Sequence, residues 1–583
     1  MATGAQEAMP ERTGAAEPAG TLALAPRSIA VIAAFGLSML LVNIGVSRVL
    51  TYHEVVFAQA AKEMLTTGDF VVPKIGGVPF TDKPPLTAWS IAASMTLFRS
   101  DAEWVVRLPS VLASVITALI LAGLVARWLG NDLAIFAGLV HLTTVHVMQQ
   151  ARLAESDTLL TVVVAAAIAV FAVANVDSPR GRPTHRWLPW LFYALVGLSF
   201  LAKLTAGPVF ILGACGGFVL LQRQWRGLKF LLDPIGIIVA GAIMLGWLVP
   251  LSQRYWPAID SLVMHSFGRF QGAMGTHDYP FSYLYQVPML MLPWTPVVIG
   301  GVIRAAYLGR FREPFWRLMA CWFVVGMIVL QASSFKSKHY TIPLLAPLAL
   351  LGAYGGSEYL KWRYRTGAAR TGWMAAGLAI GSAAAAGVAL RMNDCYPHVL
   401  AALLILMGVG LVAAVAFERR RWLVGELAAV FGTIWLISVG VQTWIMPSHD
   451  TYRAQAELAG RINQRIGADE PIYMLNLRDN QITYYLHPQV VRLDDEQEFP
   501  ERLAANGANA AWVLAPRHVA EQLVAAGGAE TLDRCPYLNS YLTERDRLTF
   551  LRWQGPGLSW QGAAADAKVQ GTGSHVSPTA RTR

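Results

Sequence analysis

The sequence predicts a polytopic α-helical membrane protein of about thirteen transmembrane helices, followed by a small C-terminal α/β soluble domain. Two observations predict it. Hydrophobic residues make up 55% of the 583 residues and charged residues only 14%, where a soluble protein carries about 25%. Apolar runs of about 20 residues, the length that crosses a bilayer as a helix, recur between residues 28 and 445. The net charge of +10 sits largely in short basic loops. Such loops orient a protein in a bilayer, so the charge points to a membrane and not to nucleic acid. The four cysteines form no CxxC pair, so no redox or zinc motif is visible.

Residues 1–22 are rich in Ala, Gly, Glu and Pro and are expected to be disordered. The expected transmembrane domain is 23–446. Its first span, 28–47, is long for a signal-peptide core and lacks a clear cleavage site, so it reads as a retained helix. Further spans are expected at 104–126, 131–149, 157–175, 187–204, 207–221, 230–251, 285–303, 315–333, 340–356, 372–390, 396–416 and 423–445. The run 86–98 is too short to cross and reads as a juxtamembrane helix.

Loop charge tests that assignment independently. With 86–98 outside the count and the N-terminus cytoplasmic, the basic loops fall on one side. They hold Arg127; Arg180, Arg182 and Arg186; Arg223, Arg226 and Lys229; Arg304, Arg310, Arg312 and Arg317; Lys361, Arg363, Arg365 and Arg370; and Arg419, Arg420 and Arg421. The positive-inside rule expects this pattern. The opposite, outer face then receives His53, Glu54, Asp82, Lys83, Asp157, His265, Arg269, Lys336, Lys338 and His339, with Lys203 at the outer end of its helix. These residues are separate from the basic loops that set the topology.

The first outer loop, 48–103, carries the densest set of ionisable groups. Residues 53–65 read as an amphipathic helix with Phe57, Ala61 and Met64 on one face and Gln59, Lys62 and Glu63 on the other. Gly68 suits the left-handed conformation that ends a helix, and Pro73 blocks its resumption. Asp82-Lys83-Pro84-Pro85 sets a charged pair on a stiff, extended backbone.

After Pro447 the composition becomes that of a soluble domain, 447–561, placed on the outer face. Helices are expected at 451–466 and 517–526, and strands at 471–475, 489–493, 510–515 and 547–553. The tail 562–583 is rich in small residues and is expected to be disordered.

The pattern HE-x9-M-x3-GD-x3-P-x3-G-x5-KPPL-x2-W of the first loop resembles the corresponding loop of GT-C lipid-linked-sugar glycosyltransferases. It is similar to the protein O-mannosyltransferase group, and within it to the aminoarabinose transferase branch that modifies lipid A. VVRLPS (105–110), RLAESDTLLT (152–161), LAKLTAGP (201–208) and SKHYTIPLLAPLALL (337–351) extend the resemblance, in order, over most of the membrane part. The family usually begins this loop with Asp-Glu, and here the pair is His53-Glu54. Glu54 matches the family Glu; His53 stands where the family has a candidate general base.

The resemblance implies a polyprenyl-phosphate sugar donor in a bacterial inner membrane. It also implies transfer on the periplasmic face to a glycolipid such as lipid A, or to a protein. Breaking the donor bond leaves an anionic lipid phosphate, which needs cations where charge develops. Lys83, Lys203, Arg269, Lys336 and Lys338 are candidates, with Asp82, His339 and Tyr340 beside them. A hydroxyl acceptor needs a base, and Asp157, Glu54 and His53 are candidates. His265, His339 and Asp82 could form a divalent-metal site.

Each residue has a blander reading. Glu54 and Asp157 could cap helices, Lys203 could snorkel, and Tyr340 could be a membrane-interface tyrosine. The two histidines could be hydrogen-bonded singly. A transporter or flippase of lipid-linked glycan is the alternative from another class. Transporters often show paired repeats and broken midplane helices, and the sequence shows neither.

Overall fold

The computed structural model describes residues 24–176, 185–268, 281–366, 397–420, 423–448, 450, 453–467, 470–475, 481–487, 489–493, 498–505, 510–535 and 547–554. The expected termini, the span 372–390 and Arg269 lie outside the described residues.

The chain is mostly helical. Among the described residues, five helices are long and apolar enough to cross a membrane: Glu103–Trp128, Ser156–Asn175, Trp225–Arg254, Pro314–Ala332 and Val424–Ile445. Shorter apolar helices include Pro26–Leu40, Leu133–Leu142, Leu188–Lys203 and Ala206–Gln222. They pack around one large core that runs from Ile32 through Phe171, Phe218 and Trp316 to Leu345. With side chains apolar on all sides, these helices are held together by close packing and by the few polar groups between them.

Two expected spans are not continuous. The run 285–303 breaks into Ser282–Leu290 and Thr295–Tyr307, bent by 110°. Pro288 and Pro293 lie at or beside the bend, and proline cannot supply the N–H that a continuous helix needs. The run 131–149 divides into Asn131–Leu142 and Val145–Gln150, and the amide of Val145 donates to the carbonyl of Leu292 at that bend. The expectation of unbroken helices therefore fails here. These are the broken helices that the sequence did not show.

The 48–103 segment is ordered and folded against the bundle. Tyr52–Thr67 is a helix with a capping box between Thr51 and Glu54, and it ends on left-handed Gly68 with φ 70°. Its burial is wider than its amphipathic pattern predicts, because Val55–Ala61, Gln59 included, is enclosed. The hairpin Lys74–Ile75 with Val78–Pro79 follows; it was not foreseen. Glu63 ties it to the helix by accepting from the amides of Gly76 at 2.6 Å and Gly77 at 3.1 Å. Leu86–Phe98 is a separate helix, as expected, and packs with Tyr52–Thr67 around Ala58, Ile91 and Val105.

Toward the C-terminus a five-stranded sheet forms. Its spatial order is Val490–Leu493, Ile472–Leu475, Ala511–Pro516, Leu548–Trp553 and Ala529–Arg534. The first three strands run parallel and the last two pairings are antiparallel. The edge strand Ala529–Arg534 was not predicted, since AETLDR lacks the alternation that marks a half-buried strand.

Candidate active site

A cavity of about 580 Å³ opens where the Asp82–Pro84 turn, the start of Ser156–Asn175, the end of Leu188–Lys203 and the segment around Tyr340 meet. Asp82, Lys83, Asp157, Lys203, His265 and Tyr340 all line it. Six residues singled out from five separate stretches of sequence thus share one chamber. The rest of its wall is largely apolar, with Leu160, Val209, Phe210, Val329 and Leu330. Charge at one end and hydrocarbon along the sides is what an amphiphile with an anionic head and an apolar tail requires.

Lys203 is the hub. Its Nζ donates to Asp157 Oδ1 at 2.5 Å and stands 4.2 Å from the centre of the Tyr340 ring. Lys203 is the last residue of its helix, where a cation suits the helix dipole. A snorkelling lysine would point into water; this one points at a carboxylate. Asp157 is 3% exposed, and its Oδ1 accepts from Lys203. The helix-capping reading therefore does not describe it.

Asp82 accepts from Ser261 Oγ at 2.8 Å and from His265 Nε2 at 3.1 Å. Burial raises its pKa, but the hydrogen bonds from His265 and Ser261 outweigh it, so the carboxyl titrates below its usual range. The two bonds fasten the Asp82–Pro85 turn to the helix Pro257–Val263 and the turn after it, and so aim Lys83 into the cavity. Lys83 lies within electrostatic reach of both Asp82 and His339.

His339 does not line the cavity but stands just behind it. Its Nδ1 is 2.9 Å from Ser337 Oγ, and its ring meets Tyr340 edge-on at 4.7 Å. Burial, reinforced by Lys203, His53 and Lys83, lowers its pKa to about 3 against the pull of Asp157. His339 is neutral at physiological pH. The expected grouping of His265, His339 and Asp82 as metal ligands is not formed. Among the described residues no set of three His, Cys, Asp or Glu side chains is close enough to hold a metal ion.

Glu54 departs furthest from expectation. It is fully enclosed, at 0% exposure, and outside the cavity. Its Oε1 accepts from Arg107 Nε at 2.7 Å and from the amide of Ala154 at 3.1 Å; its Oε2 accepts from Arg107 Nη2 at 3.1 Å and from the amide of Thr51 at 2.9 Å. Burial would raise its pKa, but Arg107 holds it low. A carboxylate with four donors, enclosed and away from the cavity, is placed as a structural clamp rather than as the base for which it was a candidate. Arg107 in turn donates to the carbonyls of Ile44, Arg48 and Val49. The pair thus joins three chain segments, one of which runs directly into Asp157.

Lys336 donates to the carbonyl of Ser333 at 2.7 Å, just past the end of Pro314–Ala332, which is a helix-terminus role. The carbonyl of Lys338 accepts from His146 Nε2. Neither lysine lines the cavity. His53 is exposed on the first turn of its helix and acts on His339 through space.

The chain is similar to several known proteins. The dolichyl-phosphate-mannose-protein mannosyltransferase family matches residues 82–252. An enzyme of Edwardsiella ictaluri, named undecaprenyl phosphate-α-4-amino-4-deoxy-L-arabinose arabinosyl transferase, is 28% identical over 51% of this chain and 53% of its own. The enzyme of the same name from Aeromonas salmonicida is 27% identical over 52% and 55%. The chain therefore spans about half the length of the curated relatives it matches. Crystal structures of ArnT from Cupriavidus metallidurans extend the likeness. The form bound to undecaprenyl phosphate has a TM-score of 0.70 at 18% identity, covering 90% of this chain and 97% of that one. The apo form gives 0.71, with 96% of it covered.

The chain has the fold of the ArnT structures.

Two residues that support this site were missed in the sequence although both lie in stretches that carry the resemblance. Arg107 is a lone cation in an apolar run, and such a residue needs a buried partner. Glu155 immediately precedes the Asp157 helix. Burial and the nearby carboxylates of Asp157 and Glu54 push its carboxyl up to about 8, so it holds a proton at neutral pH. The local sequence shows the Asp157 neighbour but neither the burial nor the approach of Glu54, which is distant along the chain.

Proposed function

We propose that this chain is a glycosyltransferase. It takes a sugar of the 4-amino-4-deoxy-arabinose class from a polyprenyl-phosphate carrier and passes it to lipid A or another glycolipid. The observation that carries this reading is the cavity in which Lys83, Lys203 and Asp157 face an apolar wall. The sugar–phosphate bond breaks as the acceptor oxygen attacks the anomeric carbon, and charge builds on the carrier phosphate. Lys83 and Lys203 stabilise that charge, an interaction that strengthens toward the transition state. Asp157 holds Lys203 in place before the donor arrives. Where the acceptor is a hydroxyl, Asp157 takes its proton.

The reading includes an inner-membrane location, thirteen spans, and the cavity with the C-terminal sheet region on the periplasmic side. The division into 23–446 and 447–561 belongs to it. The relatives named for undecaprenyl-phosphate aminoarabinose support the donor. The mannosyltransferase family match supports a second reading, O-glycosylation of a protein.

The test is transfer in proteoliposomes from radiolabelled undecaprenyl-phosphate sugar, with lipid A and a peptide offered together. Label in the glycolipid is the expected result. Label in the peptide selects the second reading. Label that only crosses the bilayer means a transporter.

A further inference from the structure

Leu50 is fully buried, and its backbone is satisfied by residues far down the chain. Its N–H donates to the Tyr485 hydroxyl at 2.8 Å, 435 residues away in sequence. Its carbonyl accepts from Gln481 Nε2 at 3.1 Å. Both side chains come from the short helix Gln481–Tyr485 beside the C-terminal sheet. The Tyr485 hydroxyl donates to Glu103 at 3.3 Å, which leaves a lone pair for Leu50. Neighbouring Tyr484 reaches the carbonyl of Asp101 and joins the apolar cluster of Val55, Ala58 and Ile91. Lys62 pairs with Asp101 at 2.9 Å over the same contact.

Leu50 precedes the capping box. Thr51 and Glu54 close on each other, Glu54 binds Arg107, and Glu54 also accepts from the amide of Ala154. Ala154 is three residues before Asp157. A buried amide or carbonyl that loses its partner is left with an uncompensated desolvation penalty, so Leu50 does not readily give up either contact. The route from the C-terminal helix to the cavity therefore alternates hydrogen bonds, linking Tyr485 and Gln481 to Leu50 and Glu54 to Thr51 and Ala154, with the short chain stretches Leu50–Thr51 and Ala154–Asp157.

We propose that Gln481 and Tyr485 are positioning residues for the transfer reaction: by holding both backbone groups of Leu50 they set the Thr51–Glu54 frame, and through it the placement of Asp157. This rests on the glycosyltransferase reading. The C-terminal region then completes the active site without touching substrate. Lys83 and Lys203 sit on other elements, and Asp157 competes with the carrier phosphate for Lys203, so displacing Asp157 lowers turnover without weakening carrier binding.

The experiment uses the full chain in nanodiscs, with Tyr485→Phe, Gln481→Leu and the double variant. Arg461→Ala is the control, since it breaks only the Arg461–Asp533 pair within the C-terminal region. Hydrogen exchange is followed at residues 49–51 and 153–158, together with kcat and the Kd for undecaprenyl phosphate. The expected result is faster exchange at both segments and a fall in kcat of about tenfold or more in the double variant. The Kd stays within about twofold, and Arg461→Ala changes neither segment. Exchange that rises at 49–51 but not at 153–158 overturns the proposal. So does an unchanged kcat, or an equal loss in Arg461→Ala. If the wild-type chain transfers no sugar, the glycosyltransferase reading fails, and the exchange data still decide the coupling. Tyr485→Phe removes a single oxygen and serves if the double variant does not fold.

Discussion

Lys203 Nζ and Asp157 Oδ1 form a nearly enclosed ion pair at the mouth of two helices, with the Tyr340 ring against the ammonium. An arriving phosphate competes with Asp157 for the same cation. Asp157→Asn removes the charge that holds Lys203 and the group that accepts a proton. Turnover should fall about 100-fold or more, with carrier affinity equal or tighter. Lys83→Ala and Lys203→Ala should do the reverse in binding, each weakening carrier phosphate. Single-turnover kinetics with carrier titrations separate the two. Full turnover in Asp157→Asn would remove it from the chemistry.

Glu54 and Arg107 make a different pair, with no access to substrate. Removing one partner leaves the other charged and buried, at a cost of about 3–5 kcal/mol. Glu54→Gln should therefore lower the melting temperature and the yield of folded protein. The folded-state pKa of Glu54 lies below its unfolded value, so the stability it contributes is present above about pH 4.3 and is lost as pH falls through the folded value. Acid denaturation of wild type against Glu54→Gln checks this: the variant should lose less stability between pH 5 and the acid limit.

Glu155 has the opposite sign. Its folded pKa of about 8 is above the unfolded value of about 4.3. The folded state binds the extra proton, so stability falls as pH rises through that window. Glu155→Gln mimics the protonated acid and cannot ionise. Its stability should exceed that of wild type at pH 8 and above and match it near pH 4. A wild-type advantage at high pH would show that the carboxylate is the favoured form.

Topology can be tested apart from chemistry. Reporters fused after residues 310 and 365 should be cytoplasmic, and those after 275 and 450 periplasmic. The inverse pattern would mean that Leu86–Phe98 crosses the membrane, and the cavity would then face the donor from the wrong side.

Composition and order along the chain settled the broad class. Apolar length and scarce charge point to a helical membrane protein whatever the packing, because only helices satisfy backbone groups inside one lipid-exposed segment. The first-loop helix, its glycine stop and four of the five C-terminal strands were legible because their signals are local: spacing, a cap, alternation. Lys83, Asp157 and Lys203 could be named because each sits in a short stretch similar to a known family.

What tertiary structure decided is which charge meets which. Glu54 and Asp157 are both acids at the start of a helix in the sequence. Arg107 makes one a clamp, and Lys203 keeps the other at the cavity. His339 is neutral and Glu155 protonated because of what surrounds them. Leu50 depends on Tyr485, 435 residues away. Burial and Coulomb energies depend on distance in space, and distance along the chain does not report it.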